Sequence, residues 1–221
     1  MKIPSFLRSL AAVSALTLGL IGASQAQNYS FSCVSGNSTT NCATGQAQLG
    51  MTLTQGSGFV DFRFTNTGLQ ASSITDIYWD WADGEALFDG SVGTITSSNG
   101  VSFNWGANPA NLPSGGSLTP RFSADLGADS NSPTQPNGVN PGEWVSFRFL
   151  TGVTSTATDL LNGDLRIGLH VQGFSNGGSE SFVNGGTTPI ASPAPEPETY
   201  AMMLAGLAIV GGIARRKKQQ G

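Results

Sequence analysis

No lysine occurs between Lys2 and Lys217, and the chain has one histidine, His170, and two cysteines, Cys33 and Cys42. Six of the ten cations lie in the terminal segments. Residues 27–183 therefore carry twelve acids against Arg63, Arg121, Arg148 and Arg166, a formal charge of −8. That balance repels phosphate backbones and anionic headgroups, which excludes nucleic acid as a partner of the body. A cation or a neutral polymer fits it better. Two cysteines without further ligands nearby exclude a closed zinc site. No repeat of fixed period is present, which excludes a solenoid or β-helix.

Residues 1–26 read as a secretory signal peptide. Lys2 and Arg8 form the charged start, residues 10–21 the apolar middle, and Ser24-Gln25-Ala26 a small-x-small cleavage site. Cleavage between Ala26 and Gln27 starts the mature chain at Gln27. In an exported chain, a pair of cysteines with an eight-residue gap predicts a disulfide between Cys33 and Cys42. Closing so short a loop is worth roughly 2–3 kcal/mol by chain entropy and pins an end that would otherwise fray.

The body, residues 27–183, reads as β throughout. Leu49, Met51 and Leu53 alternate with polar residues in a run that begins at Ala47. Val60, Phe62 and Phe64 do the same, as do Val101, Phe103 and Trp105, then Val145, Phe147 and Phe149, then Leu165, Ile167, Leu169 and Val171. Period two over short segments, separated by Gly, Asn, Pro and Ser, predicts antiparallel strands with one buried face. Residues 74–81 form a further strand with aromatics on both faces. One helix is expected, over 156–161, stopped by Asn162-Gly163. Residues 106–120 and 126–142 are rich in Pro, Gly, Asn and Ser and read as long ordered loops. The expected fold is an all-β, antiparallel β-sandwich of jelly-roll or immunoglobulin-like kind. Residues 184–194 then form a Pro/Gly-rich linker.

Motifs for chemistry are few. Gly173-Phe174-Ser175-Asn176-Gly177 spells a nucleophile elbow, but no helix follows it and His170 lies upstream, so a turn is expected. His170 falls on the polar face of its strand. Asp76, Asp80, Asp83, Glu85 and Asp89 could pair for glycoside hydrolysis, yet nothing in the sequence sets their separation. Calcium on loop carboxylates, including Asp125, Asp129 and Asn131, is the one cofactor these residues could hold, although residues 80–89 depart from the EF-hand spacing. Trp79 and Trp81 alternate with Tyr78, so Tyr78 faces away from them and is the candidate glycan contact. No catalytic residue is assigned.

The tail is the most specific stretch. Pro195-Glu196-Pro197 precedes Thr199-Tyr200, an uncharged Ala/Leu/Gly-rich run, and Arg215-Arg216-Lys217-Lys218. Within the expected helix over residues 200–214, the uncharged run 201–214 spans about 21 Å, short for a hydrocarbon core of about 30 Å. Tyr200 and the cations can anchor its two ends, and cations on the C-terminal side alone place the C-terminus in the cytoplasm and the body outside. Residues 195–218 resemble the PEP-CTERM sorting signal. The resemblance implies that an exosortase, a membrane-embedded cysteine transpeptidase of Gram-negative bacteria, recognises Pro195, Glu196, Pro197, Arg215 and Arg216. It further implies passage through the export machinery, a transient stay in the inner membrane, and a final place at the cell surface or outside the cell. The expectation is a non-enzymatic surface or matrix protein. A carbohydrate-binding protein associated with exopolysaccharide is the alternative, and a glycan hydrolase a third.

Overall fold

Strands with one apolar face must bury it, either by stacking two sheets or by rolling one sheet onto itself. The computed structural model describes residues 25–81, 93–150 and 156–184, and in it the sheet rolls. The elements in chain order are β1 (Gln25–Cys33), α1 (Thr39–Gln48), β2 (Leu49–Gly56), β3 (Phe59–Asn66), β4 (Ser73–Trp81), β5 (Thr94–Ser97) and β6 (Phe103–Trp105). There follow β7 (Leu126–Ser130), α2 (Thr134–Asn137), β8 (Trp144–Leu150), α3 (Thr156–Asn162), β9 (Leu165–Gln172) and β10 (Ser179–Asn184). Among the described residues these strands make one antiparallel sheet in the order β5-β8-β3-β2-β1-β10-β9-β4-β7-β6.

This corrects the expected sandwich to a nearly closed barrel. The reason lies in β1, which pairs with β2 through residues 25–30 and with β10 through residues 31–33. One strand thus runs from one half of the sheet into the other, and no gap separates two layers there. At the opposite seam the edge strands β5 and β6 are consecutive in the chain. The Ser97 hydroxyl donates to the Val101 carbonyl at 2.9 Å within the connecting turn. The Trp105 indole N–H donates to the Gly93 carbonyl at 3.1 Å across the seam.

Inside, the aromatic residues of β3 and β8 meet Trp79 of β4. Phe62, Phe64, Phe147 and Phe149 all lie with ring centroids 5.1–6.1 Å from Trp79, mostly edge to face. Such pairs add to what area burial alone supplies.

Several local expectations shift. Ala47 and Gln48 end α1 instead of starting a strand. The Ser38 hydroxyl caps α1 by accepting the Asn41 N–H at 3.4 Å, and Gln48 is drawn inward to donate to Ser72 Oγ at 2.6 Å. β7 lies within residues 126–142, expected as loop; only Leu126 and Ala128 give it an apolar signal. β10 likewise escapes the alternation rule, since its burial pattern is nearly continuous. Among the described residues no helix is long and apolar enough to cross a membrane. Most of the signal peptide, Asp83, Glu85 and Asp89, nearly all of the linker, and the sorting segment lie outside the described residues.

Candidate functional site

The two outer faces of the barrel differ. Over β9, β4 and β7 the outer face is covered. Tyr78 points outward from β4 yet is fully buried, packed with Leu112, Phe122 and Val183. Its hydroxyl donates to the Pro109 carbonyl at 2.9 Å. Its cross-strand neighbours are Gly168 and Gly127. A Cβ on Gly168 would stand 2.9 Å from Phe122 Cζ, and one on Gly127 would stand 2.7 Å from Ala107 Cβ. Two glycines beside the ring let the segment 106–125 settle onto the strand. Tyr78 is therefore no glycan contact: the loop that buries it takes its hydroxyl as well. Burial, with the charges of Asp76 and Asp129 nearby, pushes its phenol far above the ordinary value.

Next to Tyr78 a polar row crosses five strands: Ser181, His170, Asp76, Asp129 and Asn104 are successive cross-strand partners. A β-bulge between Ile74 and Asp76 makes Thr75 the extra residue and brings Asp76 opposite His170. His170 Nδ1 meets Asp76 Oδ2 at 2.9 Å, and the Thr75 hydroxyl donates to the same oxygen at 2.8 Å. His170, expected on a polar face, is buried because that face is covered. Asp76 Oδ1 has no partner among the described residues. Asp129 of β7 is its cross-strand neighbour.

Burial first, then the charge of Asp76, holds Asp129 above the ordinary carboxylate range. A raised folded value means that ionisation opposes folding. The cost is absent below the unfolded value of about 3.9 and grows as pH rises through the folded value. Asp129→Asn is thus expected to raise the melting temperature at pH 7 and to change it little near pH 3. Thermal unfolding followed across that range tests this, and a fall at pH 7 would show that Asp129 is held as an anion.

Of the other described acids, Asp80 and Asp125 lie close enough for the charge of Asp125 to act on Asp80, and each is held by its own partner. Asp80 pairs with Arg166, whose guanidinium also donates to the carbonyls of Pro120 and Arg121. The Asp80 carboxyl is raised by burial, which outweighs Arg166. This pair lies at a cleft of about 350 Å³ with Trp81, Arg121 and Asp164. Asp125 accepts the Trp81 N–H at 3.0 Å, while Asp129 sits beside Asp76 and Asn131 is engaged by Asn104 and Ser102. Ser175 is exposed in the turn between β9 and β10, which a strand follows, not a helix.

Cys33 and Cys42 form a disulfide, so the loop before α1 is closed covalently. Glu180, which sequence reasoning did not single out, is 1% exposed under this loop. It accepts the Asn37 N–H at 3.0 Å, the Ser38 N–H at 2.6 Å and the Ser35 hydroxyl. Glu180 and the two sulfurs lie within 4.8 Å of one another. Both sulfurs are spent in the disulfide, so they offer no thiolate to a metal. β10 reads Ser-Glu-Ser-Phe-Val-Asn, so no local pattern marked Glu180 as buried.

The outer face of β5, β8, β3, β2 and β1 is open: none of its outward residues is buried. Arg148 donates through Nε and Nη2 to the two oxygens of Asp61 at 2.8 and 2.6 Å, a bidentate fork. Its guanidinium lies 4.4 Å over the Phe59 ring, and that of Arg63 lies 3.9 Å over Trp144. A shallow groove of about 300 Å³ is lined by Asp61, Thr94, Thr96, Ser146 and Arg148. The sequence places these residues on polar strand positions but brings none of them together, since Asp61 and Arg148 are 87 residues apart.

The described residues thus define a mainly-β body with one covered and one open outer face. Residues 193–218 match the family model of the PEP-CTERM protein-sorting motif. The chain carries that motif, which implies export, processing by an exosortase and sorting to the cell surface. No curated protein and no solved structure matches the chain.

Proposed function

We propose that the body is a non-enzymatic protein of the cell surface or of the extracellular matrix. The signal peptide is removed between Ala26 and Gln27, and the tail that carries Pro195-Glu196-Pro197 is processed. The observation that carries this reading is the sorting motif at residues 193–218, which begins soon after the last strand of the body. Cleavage after Ala26 is compatible with the barrel. It removes the pairs Gln25↔Gln55 and Ala26↔Thr54, and leaves Gln27, Asn28, Tyr29 and Ser30 on β2 and Phe31, Ser32 and Cys33 on β10. The apolar run over residues 200–214 then serves as a transient inner-membrane anchor, with Arg215 and Arg216 on the cytoplasmic side.

Replacing Pro195, Glu196 and Pro197 by alanine in an exosortase-bearing host is expected to leave the chain unprocessed and held in the membrane. Cell fractionation and the mass of the released protein report the outcome. Unchanged processing and surface release would remove the sorting reading.

The second reading is a carbohydrate-binding surface protein associated with exopolysaccharide. Tyr78 no longer supports it, because that ring is buried. The open, hydroxyl-lined face of β5, β8 and β3 supports it instead.

A further inference from the structure

We propose that the groove between β3, β8 and β5 is a binding site for a carboxylate-bearing polysaccharide. Arg148 within it and Arg63, beside Ser146 at its margin on β3, meet the carboxylates, and Thr94, Thr96 and Ser146 meet the sugar hydroxyls. This rests on the second reading above, that the body works among exopolysaccharide, and it names the ligand chemistry and the face.

Charge distribution carries the choice of an acidic ligand. The body has four arginines and twelve acids, yet two of the four arginines stand on this one open face. Asp61 is the one acid among the described outward residues of these five strands. Asp61 is matched to Arg148. Arg63 belongs to none of the ion pairs among the described residues. The face is therefore cationic by about one charge on a body that is strongly anionic. At physiological salt the acids on the covered side are screened beyond about 8 Å, so the contact potential is set locally.

Arg63 is the cross-strand partner of Ser146, which puts it diagonal to Arg148, with Cα atoms roughly 7–8 Å apart. Both guanidinia are held before any ligand arrives, one flat on Trp144 and the other forked to Asp61 over Phe59. Fixing such long side chains in advance removes much of the ordering cost of binding. A planar guanidinium also suits a carboxylate better than an ammonium does, because two N–H groups meet two oxygens.

The hydroxyls carry the choice of a sugar polymer. Thr94, Thr96 and Ser146 make no side-chain hydrogen bond to the described residues, and they line the same groove as the ion pair. Each hydroxyl both donates and accepts, as do the hydroxyls of a glycan. A peptide partner would want a deep apolar pocket for an anchoring side chain. This shallow polar groove has none, and its rigid sheet suits an extended chain lying across it.

The test uses the full chain, purified in mild detergent, in native affinity electrophoresis with polygalacturonate or dextran in the gel. Wild type is compared with Arg63→Gln, with Thr94→Val/Thr96→Val and with Arg121→Gln. All four proteins carry the same basic tail, so its attraction for a polyanion cancels in the comparison. All three changes are at exposed positions, and far-UV circular dichroism checks each fold. Polygalacturonate is expected to retard wild type, with Arg63→Gln weakening binding about tenfold, the loss of one charge-assisted contact. Thr94→Val/Thr96→Val should weaken it severalfold, and Arg121→Gln should leave it unchanged. Equal losses in Arg63→Gln and Arg121→Gln would overturn the proposal, because binding would then follow net charge alone. Dextran bound as tightly as polygalacturonate, and weakened by the threonine changes only, would overturn the acidic ligand while the polysaccharide reading stands. Retention of neither polymer would overturn both.

Discussion

Trp79→Ala is expected to lower stability by about 3–5 kcal/mol, the range for deleting a buried aromatic side chain. A single domain has only about 5–15 kcal/mol in total, so the variant should stand close to unfolding at 25 °C. Trp79 is fully buried at the point where the halves of the barrel meet. It reaches Phe62 and Phe64 from β3, Phe147 and Phe149 from β8, and Trp105 from β6. Those rings stand on rigid strands and cannot collapse into the space left behind, so a cavity adds to the lost transfer energy. Trp79→Phe should cost much less. The indole N–H of Trp79 is buried without a partner among the described residues, and phenylalanine removes that unpaired donor. Urea unfolding followed by far-UV circular dichroism measures both variants. A loss below about 1 kcal/mol for alanine, the range of an ordinary surface change, would show that Trp79 is not the hub of this core.

Glu180→Ala is expected to cost about 3 kcal/mol or more, because hydrogen bonds to a charged group are worth about 1.5–3 kcal/mol each. The carboxylate accepts from the backbone N–H groups of Asn37 and Ser38 and from the Ser35 hydroxyl. Alanine leaves these donors facing a site too buried for ready hydration. The Ser35 hydroxyl in turn accepts the Ser181 N–H at 2.9 Å, so the loss reaches back into β10. Glu180→Gln retains one acceptor oxygen and should lose less. The Cys33–Cys42 disulfide and Glu180 hold the same loop. Removing both should therefore not sum the separate losses, as expected for groups that share partners. Limited proteolysis between residues 34 and 38, with and without reductant, reports on the loop itself. Wild-type resistance in reduced Glu180→Ala would show that neither group pins this segment.

Most of the strands were legible because a half-buried strand writes its environment as alternation. β2, β3, β8 and β9 show this plainly, with inward Leu53, Phe62, Phe147 and Leu169 all buried. α1 and β7 were not legible. α1 has little apolar patterning, and it stands on the Ser38 cap, on the disulfide and on Gln48 reaching Ser72. β7 has only two apolar residues and is a strand because β4 and β6 flank it. Alternation also predicted that outward residues of β4 and β9 meet water. That failed at Tyr78, because the segment 106–125 folds back over two glycines that local pattern gives no reason to notice, and at His170, which is buried against Asp76.

The sequence by itself determined what is local or contiguous. This covers the sorting motif at residues 193–218, the mainly-β character, and an acidic body without lysine. A sorting signal is read along the chain, and period two is a property of one strand, so neither needs a partner. Closure into a barrel, the burial of Tyr78, the opposition of His170 and Asp76, and the gathering of Arg63, Arg148 and Asp61 were decided by tertiary structure alone. Each depends on which strand lies beside which and in what register. Those pairings join residues as far apart as Asp61 and Arg148, whose contact energy is realised only after the whole sheet has closed.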